Sequence, residues 1–318
     1  MKRVDVRALP TLGALAVFVA AYGYGMAGYP AFASPQVFLN LLIDNAFLLI
    51  VAVGMSFVIL SGGIDLSVGA LLALSTMVSA TLVERHHWSA AHAIPLVLAM
   101  GTAFGAAMGW LVMRFRLQPF VVTLAGMFLA RGLCYLISVD SISITDAHYT
   151  AIAQARIGLG ESASLTVGAL VALAVLAAGL FIARGTEFGR TVYAIGGHEG
   201  SARLMGLPVD RTTVLVYTLS GLCSALGGVV FTFYTLSGYG LHGVGLELDA
   251  IAAVVIGGTL LSGGVGSLVG TLIGVGILGV IQTLISFDGS LSSWWTRIAI
   301  GALLFVSCLL QRLFRARR

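Results

Sequence analysis

Residues 60–67 read Leu60-Ser61-Gly62-Gly63-Ile64-Asp65-Leu66-Ser67, a polar, glycine-containing break between two apolar runs. The break recurs about 200 residues later as Leu261-Ser262-Gly263-Gly264-Val265-Gly266-Ser267. Laying 60–74 on 261–275 matches seven of fifteen positions without a gap: Leu-Ser-Gly-Gly, then Val68 with Val269, Gly69 with Gly270 and Leu71 with Leu272. Backbone groups released from a helix inside a bilayer need protein or water partners. A Ser-Gly-Gly break flanked by apolar sequence therefore turns, or lines a wet space, and is no simple lipid-facing helix. Paired, Gly-interrupted spans in two halves of a membrane protein point to a translocation pathway built from repeats.

Composition supports a membrane setting. The 318-residue chain is 58% hydrophobic and 9% charged, against roughly 25% charged residues in a soluble domain. A bilayer is spanned by about 20 apolar residues, and ten apolar runs are read, bounded by 9–28, 37–60, 68–83, 93–113, 119–138, 165–183, 212–236, 249–262, 265–286 and 295–311. The predicted fold is an all-α integral membrane protein, a polytopic bundle of about ten transmembrane helices with internal repeats and Gly-broken segments. It forms a single transmembrane domain over 1–318, with no room for a soluble catalytic domain. The eighth run is short, and a re-entrant hairpin there would change the count.

Lys and Arg in short loops stay cytoplasmic. Lys2, Arg3 and Arg7, Arg114 and Arg116, Arg184, Arg190, Arg203 and Arg211, and Arg312, Arg315, Arg317 and Arg318 fall in alternate connections or at the termini, with Arg85 and Arg156 in the opposite set. Both termini are predicted cytoplasmic. Topology accounts for the formal net charge of +4, and no nucleic-acid partner is needed. The basic N-terminal stretch and its apolar run, without a clear small-residue cleavage site, read as an uncleaved signal anchor.

Two connections are long. The exoplasmic one, 139–164, is polar and carries Asp140, Asp146, His148, Tyr149, Arg156 and Glu161; it folds over a pore mouth or meets a partner. The cytoplasmic one, 184–211, reads RGTEFGRTVYAIGGHEGSARLMGLPVDR. Gly196-Gly197 breaks the chain, Glu199 suits the first turn of a short helix, and Gly206 then Pro208 stop it. Ala202, Leu204 and Met205 give that helix an apolar side, which marks it as a docking element. Gly101, Gly105 and Gly109 recur every four residues, as do Gly266, Gly270 and Gly274, a spacing that lets helix backbones approach closely.

Absences narrow the chemistry. A P-loop requires a lysine to hold terminal phosphates, and Lys2 is the only lysine in the sequence. The chain carries no cofactor site by this reading. Cys134, Cys223 and Cys308 lie in apolar runs without metal-site spacing, and His86, His87 and His92 read as a solvated turn. Ionisable groups at membrane depth default to functional hypotheses: Asp44, Asp65, Arg131, Glu247 and Asp249. Asn40, Asp44 and Phe47 share a helical face by i, i+4, i+7 spacing, the set that holds a neutral sugar through its hydroxyls and its apolar face. A polar stripe bonded to a neighbouring helix is the alternative. Asp65 or Ser67 caps the helix that follows the first break, or lines the path. Arg131 pairs with a carboxylate such as Asp65 or Glu247. Trp294 and Trp295 read as an interfacial anchor.

FVILSGGIDLSVGALLALS (57–75) and LDAIAAVVIGGTLLSGGVGSLVGTLIGV (248–275) resemble the permease subunits of bacterial ABC importers for monosaccharides, the ribose and arabinose transport group. FGRTVYAIGGHEGSARLMGLP is similar to the loop by which such permeases dock on their ATPase; Glu199, Ala202 and Gly206 match its Glu-Ala-Ala...Gly pattern, while Gly200 and Ser201 depart from it. Within the group, NLLIDNAFLLIVAVGMSFVILSGGIDLS and SFDGSLSSWWTRIAIGALLF most resemble the galactofuranose-importing branch. The resemblance implies a multi-pass protein of the bacterial inner membrane with a sugar-type ABC ATPase, a second permease (paralogous or identical) and a periplasmic sugar-binding protein as partners. ATP and Mg would be bound by the ATPase. From the residues themselves the candidate pathway set is Asn40, Asp44, Phe47, Asp65, Ser67, Arg131, Glu247 and Asp249; the docking set is Glu199, Ala202 and Gly206, matched by the resemblance, with Arg203 on the same short helix. Ribose, xylose or arabinose is the alternative cargo. An ion-coupled carrier using Asp44 or Asp65, and a membrane enzyme acting on a lipid-linked sugar, are the rivals from other classes.

Overall fold

The computed structural model describes residues 9–160, 163–292 and 294–316. Lys2, Arg3, Arg7, Glu161, Arg317 and Arg318, with the side chains of Arg312 and Arg315, lie outside the described residues. In chain order the helices are α1 (Leu9–Gly28), α2 (Pro35–Asp44), α3 (Ala46–Leu60), α4 (Val68–Ala80), α5 (Ala90–Phe115), α6 (Pro119–Ile137), α7 (Ala147–Gln154), α8 (Val167–Gly185), α9 (Glu187–Gly197), α10 (Glu199–Leu204), α11 (Val209–Thr235), α12 (Leu246–Ile256), α13 (Leu268–Asp288) and α14 (Trp294–Ala316). Four short strands, β1 (Ile142–Ser143), β2 (Arg156–Gly158), β3 (Ser164–Thr166) and β4 (Ser237–Gly238), accompany them.

A helix that is apolar all round belongs in the interior, and α3 obeys: every residue but Phe47 is buried. It packs against α8, α11, α12 and α13. The Ser56 and Thr271 hydroxyls, 2.7 Å apart, tie α3 to α13, one of the interhelical polar bonds that bundles in lipid use. The glycine series behave as packing. A Cβ at Gly105 would run into the Tyr217 carbonyl oxygen of α11, and Gly270 and Gly274 sit on the carbonyls of Gly257 and Ala253.

Among the described residues seven helices are long and apolar enough to cross a membrane, and the α2–α3 pair, bent by 55°, makes up to eight. The expected count of about ten is not reached, for two reasons. The 249–262 run contains α12, eleven residues ending in Gly257-Gly258, about 16 Å of helix against a hydrocarbon core of about 30 Å. It is too short to cross that core and packs against α13, which follows it. The 295–311 run is α14, whose apolar stretch Trp294–Leu309 is shorter than the other spans.

α12 and α3 stop by the same device. Gly62, at φ 86°, closes α3 with Gly62 N–H donating to Ile59 O and Gly63 N–H to Val58 O. Gly258, at φ 100°, closes α12 with bonds from Gly258 N–H to Val255 O and Thr259 N–H to Val254 O. These left-handed closures satisfy the last carbonyls of each helix.

The 139–164 connection departs from the all-α expectation. β1 pairs antiparallel with β4, placing Ile142 opposite Gly238, and β2 pairs with β3. Between them α7 inserts Tyr149, fully buried, with its hydroxyl bonded to that of Thr232 on α11. This connection is thereby fastened to one end of α11.

Gly105→Ala should push α5 away from α11 and lower stability by about 1–3 kcal/mol, read as an earlier thermal unfolding transition in detergent. Gly132→Ala, where a Cβ meets open space, should leave that transition unchanged or raise it. Equal behaviour of the two variants would contradict the packing assigned to the α5 glycines.

Candidate functional site

The bend between α2 and α3 falls at Asn45, whose side-chain amide donates to Leu41 O at 3.0 Å. The bend turns the α2 face carrying Asn40 and Asp44 toward the first residues of α3. Asn40, Asp44 and Phe47 thus meet on the wall of one cavity of about 560 Å³, together with Gln36, Tyr234 of α11 and Arg156 of β2. The 139–164 connection supplies Ile152, Ala153, Arg156 and Ser164 to the same wall.

Asp44 is the last residue of α2. The carbonyl end of a helix carries partial negative charge and disfavours a carboxylate, so Asp44 contributes nothing to its own helix. Its Oδ1 accepts a long hydrogen bond from the Tyr234 hydroxyl at 3.5 Å. Asn40 Oδ1 accepts from Gln36 Nε2 at 2.8 Å, and Gln36 Oε1 accepts from Ser164 N–H at 2.8 Å. Phe47 stands edge-on to Phe231 at 4.7 Å between ring centres and tilted to Tyr234 at 6.5 Å. Amide, carboxylate, phenol, guanidinium and ring faces thus share one cavity. Gln36 sits one helical turn before Asn40, and that spacing was available in the sequence. Nothing in the sequence singles out Tyr234.

The other residues expected along the path lie elsewhere. Asp65 is 3% exposed. Its Oδ1 accepts from Ser67 N–H at 2.9 Å and from the Ser67 hydroxyl at 2.6 Å, and its Oδ2 accepts from the Ser220 hydroxyl at 2.7 Å. Asp65 therefore holds the turn that leads into α4 and fastens it to α11; the expected side-chain cap is absent, because the buried Ser67 begins α4 with its hydroxyl turned to Asp65 and makes no bond to the first turn. Arg131 donates to Gly240 O at 2.5 Å and to His242 O at 2.8 Å. These carbonyls stand in the place of the expected carboxylate in hydrogen bonding: the guanidinium fixes the segment between β4 and α12. Glu247 places its carboxylate against Gly69 of α4. Asp249 lines a separate cavity of about 650 Å³ with Gln282, Arg297 and Trp294.

The 184–211 connection forms α9 and α10. Its Gly196-Gly197 pair ends α9, and His198 caps α10 by accepting from Ser201 N–H at 3.1 Å. Arg203 is paired with Asp210 at 2.6 Å and Glu199 at 3.1 Å, and these carboxylates hold its pKa above the ordinary guanidinium value. Gly206, at φ 76°, makes the following turn. Ala202 differs from expectation. It is fully buried, packed with Ile195 and Val209, and offers no outer surface. The outward apolar groups are Leu204, 92% exposed, and Met205, 67% exposed.

The family described as branched-chain amino acid transport system / permease component matches residues 37–308. The chain is 52% identical over 306 residues to the inner membrane ABC transporter permease protein YjfF of Escherichia coli (strain K12), an alignment covering 96% of this chain and 92% of that protein. It is 38% identical over 316 residues to the fructose import permease protein FruG of Bifidobacterium longum (strain NCC 2705), covering 98% and 92%. It is also 38% identical over 272 residues to the ribose import permease protein RbsC of Escherichia coli (strain K12), covering 86% and 84%. No solved structure matches it significantly. A match this long, on a bundle of apolar helices with a broken central pair, means that the chain belongs to this family of transport-system permease components, alongside the ABC import permeases its sequence resembles.

Proposed function

We propose that this chain is the membrane-spanning subunit of an ABC importer that carries a monosaccharide across the bacterial inner membrane, with galactofuranose as the cargo and ribose, xylose, arabinose or fructose as the alternatives. The observation that carries the reading is the cavity that joins Asn40, Asp44, Phe47 and Tyr234 in a chain of this family. A carboxylate and an amide exchange hydrogen bonds with sugar hydroxyls, and aromatic faces cover the apolar side of the ring. Galactofuranose rests on the sequence resemblance alone.

In this reading the whole chain is one permease domain with both termini cytoplasmic. A periplasmic binding protein delivers the sugar to the side of the 139–164 connection, and a second permease completes the path. Uptake against a gradient needs an energy source, which a sugar-type ATPase supplies by binding and hydrolysing ATP with Mg. That ATPase docks on α10, where Leu204 and Met205 form the apolar knob. Arg203, held by two carboxylates, stiffens the knob, and Gly206 sets its turn. The ion-coupled carrier gains nothing from Asp65, whose two oxygens are occupied by Ser67 and Ser220.

The composition of the complex tests this reading. The tagged protein, extracted in mild detergent, should bring down an ABC ATPase and a second permease, and the binding protein encoded with them should retain galactofuranose from a sugar panel. Recovery of this chain alone would return the carrier and enzyme readings. Asp44→Ala should lower uptake by roughly tenfold or more, the loss of a hydrogen bond to a charged group, with the complex intact. Wild-type uptake in both Asp44→Ala and Phe47→Ala would remove the cavity from the path. Leu204→Asp combined with Met205→Asp should cut recovery of the ATPase roughly tenfold, as loss of an apolar anchor does. Arg203→Ala, at an exposed ion pair, should change recovery little.

A further inference from the structure

Three pieces of backbone distant in sequence meet without a side chain between them. Gly264 N–H, in the second Ser-Gly-Gly break, donates to the carbonyl of Leu60, in the first, at 2.9 Å. Gly196, at the end of α9, lies on that same pair: a Cβ built there would collide with both Leu60 O and Gly264 N. Gly263 approaches Gly62 N to 2.8 Å and Gly196 Cα to 2.9 Å, measured from the Cβ it lacks, and Gly264 approaches Gly197 N to 2.7 Å in the same way. One turn earlier in α9, the Tyr193 hydroxyl donates to Gly266 O at 3.1 Å, so α9 is also bonded to the segment that leads into α13.

Beyond the junction the mechanical connections are short. On one side, α9 leads through the extended His198 into α10, and Ile195 of α9 and Ala202 of α10 pack together with Val209, the first residue of α11. Leu204 and Met205 stand at the far end of that unit. On the other side, Gly62-Gly63 leads to Asp65, which is fixed to α4 and α11, and Gly263-Gly264 leads to Ser267, whose hydroxyl caps α13 by accepting from Val269 N–H at 3.2 Å. Packed interiors are bistable and do not deform smoothly. A contact made of backbone alone has no rotamers with which to absorb a displacement.

We infer that the contact of Gly196 with Leu60 and Gly264 is the joint through which movement of the α9–α10 unit is passed to both broken helices at once. The inference rests on the docking role proposed for α10 and adds the residues that transmit it. Gly196 and Tyr193 act as positioning residues: they touch neither cargo nor nucleotide, and they set where the two breaks stand when α10 is displaced. Because one helix end bears on both repeats, α4 and α13 move together.

The experiment uses the complete importer in proteoliposomes, with its binding protein and ATPase, and reads sugar moved per ATP hydrolysed. The probe is whichever of radiolabelled galactose, fructose, ribose or xylose the wild-type complex takes up. Gly196→Ala should keep the ATPase bound and hydrolysing while the ratio falls roughly tenfold, within the span of ordinary coupling energies. Tyr193→Phe, which removes one hydrogen bond and little volume, should lower the ratio about threefold. Gly197→Ala, whose Cβ would meet nothing within 4 Å, should leave it unchanged. A wild-type ratio in Gly196→Ala overturns the joint; where that variant does not assemble, a wild-type ratio in Tyr193→Phe overturns it. An equal fall in Gly197→Ala also overturns it, since the effect would then belong to the helix end and not to the contact. A wild-type complex that retains no ATPase overturns the docking reading and the joint with it.

Discussion

The hydrogen bond from Gly264 N–H to the Leu60 carbonyl, 2.9 Å long, is the constraint on which the arrangement depends. It joins two helix breaks inside a bundle where unsatisfied backbone is costly. The two breaks satisfy part of each other's backbone, Gly264 N–H bonding to Leu60 O where both apolar helices stop. Glycine is required because the approach is closer than any Cβ permits, and at Gly263 and Gly264 because φ is 83° and 74°, where L side chains are strained.

Once the breaks are joined, the rest of the bundle has little freedom. Two helices that end in left-handed glycine closures cannot continue across the membrane, so their successors α4 and α13 must start nearby and be capped locally. Ser267 does this for α13, while before α4 Asp65 holds the turn by accepting from the N–H and hydroxyl of Ser67. With these ends fixed, α3 can be apolar on every face, because α8, α11, α12 and α13 surround it. Its one half-buried residue, Phe47, is the first after the bend that lines the 560 Å³ cavity beyond Ala46.

Much of this was legible in the sequence. The Ser-Gly-Gly repeat marked the breaks, and the i, i+4, i+7 pattern placed Asn40, Asp44 and Phe47 together. The bend at Asn45 could have spoiled that pattern, since spacing rules assume a straight helix; the three residues nevertheless share the cavity wall. What was not legible depends on distant partners. The repeat aligns Gly62-Gly63 with Gly263-Gly264, yet α12 already closes at Gly258, so equal sequences play unequal local roles. Ala202 fits an apolar docking face by sequence but is buried by Ile195 and Val209. Arg131 invited a carboxylate, and the carbonyls of Gly240 and His242, in the turn between β4 and α12, took that place.

The placement of the carboxylates bears on what kind of transporter this is. Asp65 sits where a helix and its neighbour gain from it, with both oxygens bonded. Asp44 sits at the wrong end of its helix dipole and receives a single bond of 3.5 Å. A position that costs helix stability and is poorly bonded within the protein is one whose acceptors are available to something else. Its neighbours on the cavity wall are amides, a phenol, aromatic faces and the Arg156 guanidinium, a set that complements hydroxyl groups and a ring's apolar side better than a bare cation, which calls for several oxygen ligands converging at close range. The proposed neutral sugar therefore matches the hydrogen-bonding and apolar groups of the cavity, and under the same proposal the energy for moving it enters from a partner seated on the exposed Leu204 and Met205 at the tip of α10.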